Sequence, residues 1–203
     1  MRKIYFGAFF GFLTGCFFTS LLGFEGFSFG LGIASSGSSC KRDPPFSEVH
    51  YSRHSFDALF EASYSRQISD SWSLGLGIAA NPKKQIIKHD RDDIDYSSLS
   101  LRNRYAVFVE PLYRLDEKTA LFGRVSYHRA HISVRSPRIT VTTSQGGTGL
   151  DLGIKRKLSS RVFIQLSAQY VQYRPFHALA AENSWLDAKI KQASGQVCLG
   201  FQI

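Results

Sequence analysis

The sequence predicts an all-β fold: a closed, antiparallel, up-and-down transmembrane β-barrel of about eight strands that follows an N-terminal signal sequence. Three observations predict it. Apolar residues alternate with small or polar ones in eight segments. Short polar turns alternate with long connections. The chain of 203 residues, long enough for one domain, has a single long apolar run, at its start.

The N-terminal run has the form of an export signal. Arg2 and Lys3 precede an uncharged stretch over 4–23, which ends in Gly23. A basic start, an apolar middle and a small final residue are typical of a secretory signal peptide, so we expect a signal over 1–23 and a barrel over 24–203. Two alternatives remain open. The run is long enough to span a bilayer as a retained helix, and the segment ending in Cys16 resembles a lipidation signal.

The eight alternating segments have one bulky apolar face and one small or charged face. In the first segment, Phe27, Phe29, Leu31 and Ile33 alternate with Ser28, Gly30, Gly32 and Ala34. The others cover 56–65, 72–79, 104–115, 121–128, 149–155, 162–170 and 196–203. A soluble sandwich or lipocalin-like barrel hides its apolar face inside. Bulky residues outside and small residues inside instead favour lipid around a narrow interior.

The connections alternate in length, as they do in outer-membrane barrels. The short ones, at 69–71, 116–118 and 159–160, are expected to face the periplasm. The long ones, near 35–54, 81–99, 132–146 and 174–188, are expected to be loops that face the outside. Pro111 has no edge strand to occupy in a closed barrel, so it is expected at a bulge or a local break in the ladder.

The Gly-rich first strand from Gly26 to Ala34 and the hairpin from Gly149 to Tyr170 resemble those of the OmpA-like, OmpX-like and opacity-type barrels. The C-terminal strand is similar to the signal that the barrel-assembly machinery reads, although it ends in Ile203 instead of an aromatic residue. The resemblance implies an outer-membrane location and a non-enzymatic role in envelope integrity or surface adhesion. It does not identify which role applies.

The charged residues of the inner face are expected to pair across the lumen, because a buried unpaired charge costs several kcal/mol. This predicted lumen charge network consists of Asp57, Glu61, Arg104, Glu110, Arg114, Arg124, Asp151 and Lys155. The network has two possible roles. It is either a structural plug or a narrow gate in which an arginine exchanges carboxylate partners.

The chain carries a formal net charge of +9. Export argues against nucleic acid as a partner, which leaves lipopolysaccharide phosphates and acidic host surface polymers. The candidate anion-binding residues are Lys41, Arg42, Lys83, Lys84, Lys88, Arg129, Arg135 and Arg138. The alternative is an ordinary solvated surface. No metal and no cofactor are expected, because the aspartates over 90–95 lack the glycine and terminal glutamate of a calcium loop.

One motif keeps an enzymatic alternative open. His131 and Ser133 are similar to the His-x-Ser of PagL-like lipid A deacylases, in which the histidine activates the serine hydroxyl. Val134 stands where those enzymes have asparagine, and no acid can be assigned to orient His131.

Overall fold

The computed structural model describes residues 24–42, 50–89, 98–135, 140–181 and 184–203. The predicted signal peptide over 1–23, with Cys16, lies outside the described residues, and so does Arg138. The backbone is all β. The strands are β1 (Gly26–Arg42), β2 (His50–Gln67), β3 (Trp72–Asn81), β4 (Gln85–His89), β5 (Ser98–Arg114), β6 (Thr119–Arg135), β7 (Thr140–Lys157), β8 (Val162–Tyr173), β9 (Phe176–Ala181) and β10 (Ser184–Gln202).

Eight of these strands form a closed antiparallel ring in the order β1-β2-β3-β5-β6-β7-β8-β10, and β10 pairs with β1 to complete it. The two remaining strands are short. β4 pairs with β5 just beyond the end of β3, and β9 pairs with β10 just beyond the end of β8. They therefore continue β3 and β8 after an interruption. The predicted eight-stranded barrel is confirmed.

The predicted long loops are mostly wrong. The β1–β2 ladder continues to the pair Lys41 and His50, and the β6–β7 ladder continues to Arg135 and Thr140. Most of the loop predicted at 35–54 is therefore a hairpin that extends the barrel wall. The polar sequences concealed this, because they lose the apolar alternation above the lipid while serine and threonine still support a backbone ladder.

The tight turns lie at the opposite end of the barrel, where the polar clusters predicted them. At 115–118, the Asp116 carboxylate accepts hydrogen bonds from the backbone N–H groups of Lys118 and Thr119, at 2.7 and 2.8 Å. The first of these bonds is the main reason why the pKa of Asp116 lies below its usual value. In the next turn, the Ser159 hydroxyl accepts from the Val162 N–H at 3.1 Å. Each side chain satisfies turn donors that have no ladder partner.

Two irregularities interrupt β5. The β5–β6 ladder has no pairs at Glu110 and Pro111, while the register on either side is unchanged. This is the local break that the missing N–H of proline predicts. A second irregularity, between Arg102 and Tyr105, shifts the register. There Asn103 has a φ of 45°, so it forms a β-bulge in the left-handed region that asparagine tolerates.

The outer wall is apolar, as in a lipid-facing barrel. Leu31 and Leu152 leave 63% and 72% of their surfaces exposed. Aromatic residues border this belt at both levels. The lower girdle contains Phe27, Tyr64, Trp72 and Tyr113, and the upper girdle contains Phe56, Tyr105, Tyr127 and Tyr170. In the described part of the chain, no helix has the length and apolarity to cross a membrane.

The interior is filled in layers. At the tight-turn end, an apolar cluster contains Phe24, Leu112, Ala120, Phe122 and Phe163. Charged side chains occupy the middle. At the outer end, a second apolar cluster closes the lumen, and it includes Leu101, Ile132, Tyr173, Phe176 and Ile190. The sequence suggested an interior made only of small and charged residues. That description is incomplete, because two apolar clusters also fill the lumen.

Candidate functional sites: the lumen charge network and the outer basic collar

Arg124 of β6 is the centre of the lumen charge network. Its guanidinium donates to Glu61 of β2 at 2.6 and 2.9 Å, and it also pairs with Glu110 of β5. Asp151 of β7 lies 3.6 Å away, at the edge of the arrangement. Lys155 pairs with Glu110 from the other side. Four strands therefore contribute to one buried cluster that crosses the lumen.

Phenylalanine rings pack against this cluster from the barrel wall. The Arg124 guanidinium lies 4.2 Å from the centre of the Phe108 ring and 4.9 Å from that of Phe122. The Lys155 ammonium lies 5.2 Å from the Phe122 ring centre and 5.6 Å from that of Phe163. Cation–π contacts of this kind stabilise a cation that is buried away from water. The inward parity of these phenylalanines was visible in the sequence, although their role was not.

Each of these rings lies across a glycine on the neighbouring strand. The cross-strand pairs are Phe108 with Gly77, Phe122 with Gly153 and Phe163 with Gly200. A β-carbon on any of the three glycines would meet its ring closer than van der Waals contact permits. The inward glycines are therefore the space into which the aromatic rings fold, which is how an eight-stranded lumen accommodates them.

A second branch of the network lies nearer the outer end. Arg104 forms a 2.6 Å ion pair with Asp57 and donates to the amide oxygen of Gln85 at 3.2 Å. Gln85 also accepts from Gln192 at 3.0 Å and donates to Ser38 at 2.8 Å. Because Gln85 lies in β4, this branch ties the continuation of β3 to the inside of the barrel. These glutamines could not be recognised as partners from the sequence.

The expectation that Arg114 belongs to the lumen network is wrong. Arg114 lies at the last position of β5, is partly exposed and donates to the backbone carbonyl of Asp70 in the neighbouring turn. Its inward parity is correct, but the strand ends there, so its long side chain reaches the turn instead of the lumen. The described network thus has four carboxylates and three cations, not four of each.

A second candidate site lies on the outward surface of the outer half. We call it the outer basic collar, and it contains Lys83, Lys84, Arg102, Arg129, Arg135, Lys189 and Lys191. All of these side chains are exposed or half-exposed. The carboxylates whose side chains the structure describes lie elsewhere. They are inside the lumen (Asp57, Glu61, Glu110, Asp151) or at the tight-turn end (Glu25, Asp70, Asp116, Glu117).

The most concentrated part of the collar is on β5 and β6. Arg102 pairs directly with His131, so the two side chains are cross-strand neighbours on the outer face. Arg129 lies two residues lower on the same face, and its Nε donates to the Ser144 hydroxyl of β7 at 2.8 Å. Three positively chargeable groups therefore share two adjacent rungs of the outer wall, where side chains on one face are about 5–7 Å apart.

The structure places only some of the predicted anion-binding residues. Arg129 and Arg135 are exposed on β6, and Lys83 and Lys84 are exposed between β3 and β4, where Lys83 donates to the Phe56 carbonyl at 2.7 Å. The side chains of Lys41, Arg42 and Lys88 lie outside the described part. Arg102, Lys189 and Lys191 were not singled out from sequence. Outward parity extended along β10 would have found Lys189 and Lys191, whereas the register shift in β5 gives Arg102 the opposite parity.

The residues of the enzymatic alternative are neighbours in sequence, but their side chains are not hydrogen-bonded to each other. His131 is exposed, whereas Ser133 is buried. Among the described residues, the Ser133 hydroxyl accepts from Thr142 at 3.4 Å and forms no hydrogen bond with His131. Nor does the described chain contain a group of three His, Cys, Asp or Glu side chains that could hold a metal ion. Cys40 and Cys198 are both buried.

Comparisons with known proteins inform on the fold. No protein-family model matches the chain, and no curated protein matches it. Among solved structures, it is similar to Ail, the attachment invasion locus protein of Yersinia pestis, in complex with the heparin analogue sucrose octasulfate. That match has a TM-score of 0.52 and 13% identity and covers 88% of this chain and 99% of Ail.

Two further solved structures are similar but more distant. OprG of Pseudomonas aeruginosa matches with a TM-score of 0.49 and 9% identity, covering 88% of this chain and 96% of its own. Neisserial surface protein A matches with a TM-score of 0.44 and 11% identity, covering 85% and 97%. The closed ring, the lipid-facing belt and the likeness to Ail agree with the predicted outer-membrane location. In its fold, this chain is a small eight-stranded outer-membrane β-barrel.

Proposed function

We propose that this barrel is a non-enzymatic surface protein that binds phosphorylated or sulfated polyanions through the outer basic collar. The observation that carries the proposal is the distribution of charge. Every carboxylate whose side chain the structure describes lies in the lumen or at the tight-turn end. Among the described side chains, the charged ones on the outward surface of the outer half are all cations. Such a surface attracts anions over distances of about a Debye length, roughly 8–10 Å. Envelope integrity and adhesion are the roles that this binding would serve.

Arg102, Arg129 and Arg135 suit phosphate or sulfate groups because a guanidinium offers paired donors to oxyanions. They project from adjacent paired strands instead of a loose loop, so little conformational entropy is lost when they engage a ligand. The likeness to Ail adds support of the same kind, since that structure contains a sulfated heparin analogue.

The test uses the barrel in phosphatidylcholine nanodiscs and a heparin-coated biosensor. We expect binding that weakens as salt rises. We also expect a double variant, Arg102→Gln with Arg135→Gln, to bind about 2- to 30-fold more weakly, since each exposed ion pair contributes about 0.2–1 kcal/mol. The matched control is Arg66→Gln with Arg161→Gln, which removes the same charge at the tight-turn end. Equal binding by the collar variant and the wild type, or equal loss in the control, would contradict the proposal.

A further inference from the structure

A groove of about 910 Å³ lies on the lipid-facing wall of the barrel, and Arg129 is one of its lining residues. We propose that it holds one acyl chain of a phosphorylated glycolipid of the lipid A class, with a phosphate of that lipid on Arg129. The inference rests on the proposed function, because it uses cations of the outer basic collar. It adds an apolar binding site next to them. Its walls and floor include Phe60, Ala62, Ala80, Tyr105, Val107 and Tyr127.

The shape of the groove follows from where the sequence places alanine. On one rung of the wall, Ala80 of β3 lies between Phe60 of β2 and Tyr105 of β5. On the next rung towards the tight turns, Ala62 lies between Phe29 and Ile78. Two strand spacings separate the flanking backbones by about 10 Å, and the larger side chains on both sides narrow the space above each alanine. Small residues under large ones thus form a trough.

The groove reaches the level at which lipid headgroups lie. Tyr105 and Tyr127 belong to the upper aromatic girdle, which marks the boundary between hydrocarbon and headgroups. Arg129 lies two residues beyond Tyr127, towards the outer end, and also lines the groove. Its Nε is held by Ser144 at 2.8 Å, which fixes the guanidinium while its terminal amino groups remain available at headgroup level. An acyl chain below and a phosphate above therefore match the two parts of the site.

The position of Arg102 and His131 favours lipid A over a glycerophospholipid. Arg102 and His131 form a cross-strand pair one rung above Arg129. A headgroup with more than one phosphate can place a separate phosphate on each rung, whereas the single phosphate of a glycerophospholipid would have to be shared between them. The outer end of the barrel is also the end at which the outer-leaflet glycolipid of such membranes lies.

The experiment measures lipid retained by the barrel in phosphatidylcholine nanodiscs doped with lipid A, after detergent extraction and native mass spectrometry. We expect the wild type to retain one lipid A. Ala80→Phe fills the trough, and we expect it to retain at least tenfold less lipid A than the wild type. Ala62→Leu and Arg129→Gln should each reduce the retention in part. Ala193→Phe is the matched control, because Ala193 is also outward-facing but lies outside the groove on β10.

Retention of lipid A by Ala80→Phe at the wild-type level would overturn the inference, as would equal retention of phosphatidylglycerol in place of lipid A, which would indicate an ordinary lipid annulus. Heparin binding separates this result from the proposed function. Ala80→Phe leaves Arg102 and Arg135 in place, so it should bind heparin normally. Suppose that Ala80→Phe loses lipid A while the double variant of Arg102 and Arg135 binds heparin normally. That result would support the lipid site in the groove and reject polyanion binding by the collar.

Discussion

At the scale of single residues, the lumen depends most on Glu110. It is fully buried and is the ion-pair partner of both Arg124 and Lys155, while Arg124 also has Glu61. Lys155 has no second ion pair among the described residues. Removal of the carboxylate would therefore leave a buried ammonium uncompensated, which is far more costly than the loss of the pair as a whole.

We accordingly predict that Glu110→Ala lowers the free energy of unfolding by about 3–5 kcal/mol. Urea titrations of the barrel in lipid vesicles, followed by tryptophan fluorescence, measure it. Adding Lys155→Met should restore part of the loss, because the stranded charge is then removed. Glu117→Ala in the exposed turn is the control and should stay within about 0.5 kcal/mol. Equal effects at positions 110 and 117 would show that the network contributes nothing.

At the scale of strands, the cross-strand pairing of glycine with phenylalanine sets how closely neighbours approach. A β-carbon on Gly153 would collide with the Phe122 ring and with the backbone carbonyl of Leu166, and a backbone atom cannot move aside. Gly195 offers the opposite case, because a β-carbon there meets nothing within 4 Å. Neither glycine has a positive φ, so the two positions differ in space and not in backbone conformation.

We therefore predict that Gly153→Ala destabilises the barrel by about 1–3 kcal/mol, the usual cost of overpacking. Gly195→Ala should be neutral or slightly stabilising, because alanine restricts the unfolded chain. The same urea titration compares them. A loss at Gly195 as large as that at Gly153 would mean that strand glycine matters for backbone freedom and not for ring packing.

The strands also show why the sequence predicted part of the fold and not the rest. Alternation revealed β1 as far as Ala34, because lipid selects a bulky residue at every second position there. From Ser35 to Arg42 that selection is absent, although the ladder continues. Arg114 failed for a different reason: parity assigns a face but does not say where a long side chain ends. Arg102 was hidden by the bulge at Asn103, which shifts the register of β5.

At the scale of the whole molecule, the described charges are segregated. The lumen and the tight-turn end hold the described carboxylates, while the outer outward surface holds the collar. The parities of Glu61, Glu110, Arg124 and Lys155 were predictable from alternation alone. Their partners were not, because pairing across a lumen depends on the stagger of eight strands around the ring, and local sequence does not specify it.

The same layering bears on the idea of a gated pore. A path through the lumen would have to cross the apolar cluster around Phe122, the Arg124 network and the apolar cluster around Leu101 and Ile132. Exchange of carboxylate partners by Arg124 opens only the middle layer. The outer cluster contains no member of the charge network, and Leu101 and Ile132 are fully buried in it. A gate built from charges alone would therefore still be blocked by the two apolar clusters.

We predict that the wild-type barrel and Glu110→Ala are both silent in planar bilayers, with a general porin in the same membrane as the positive control. The apolar clusters, which the variant leaves intact, are the physical reason, since ions do not cross a dry apolar constriction. Discrete openings in the wild type that disappear or lengthen in Glu110→Ala would contradict this prediction. They would show that the outer cluster moves with the network, and the charged layer would then be a gate.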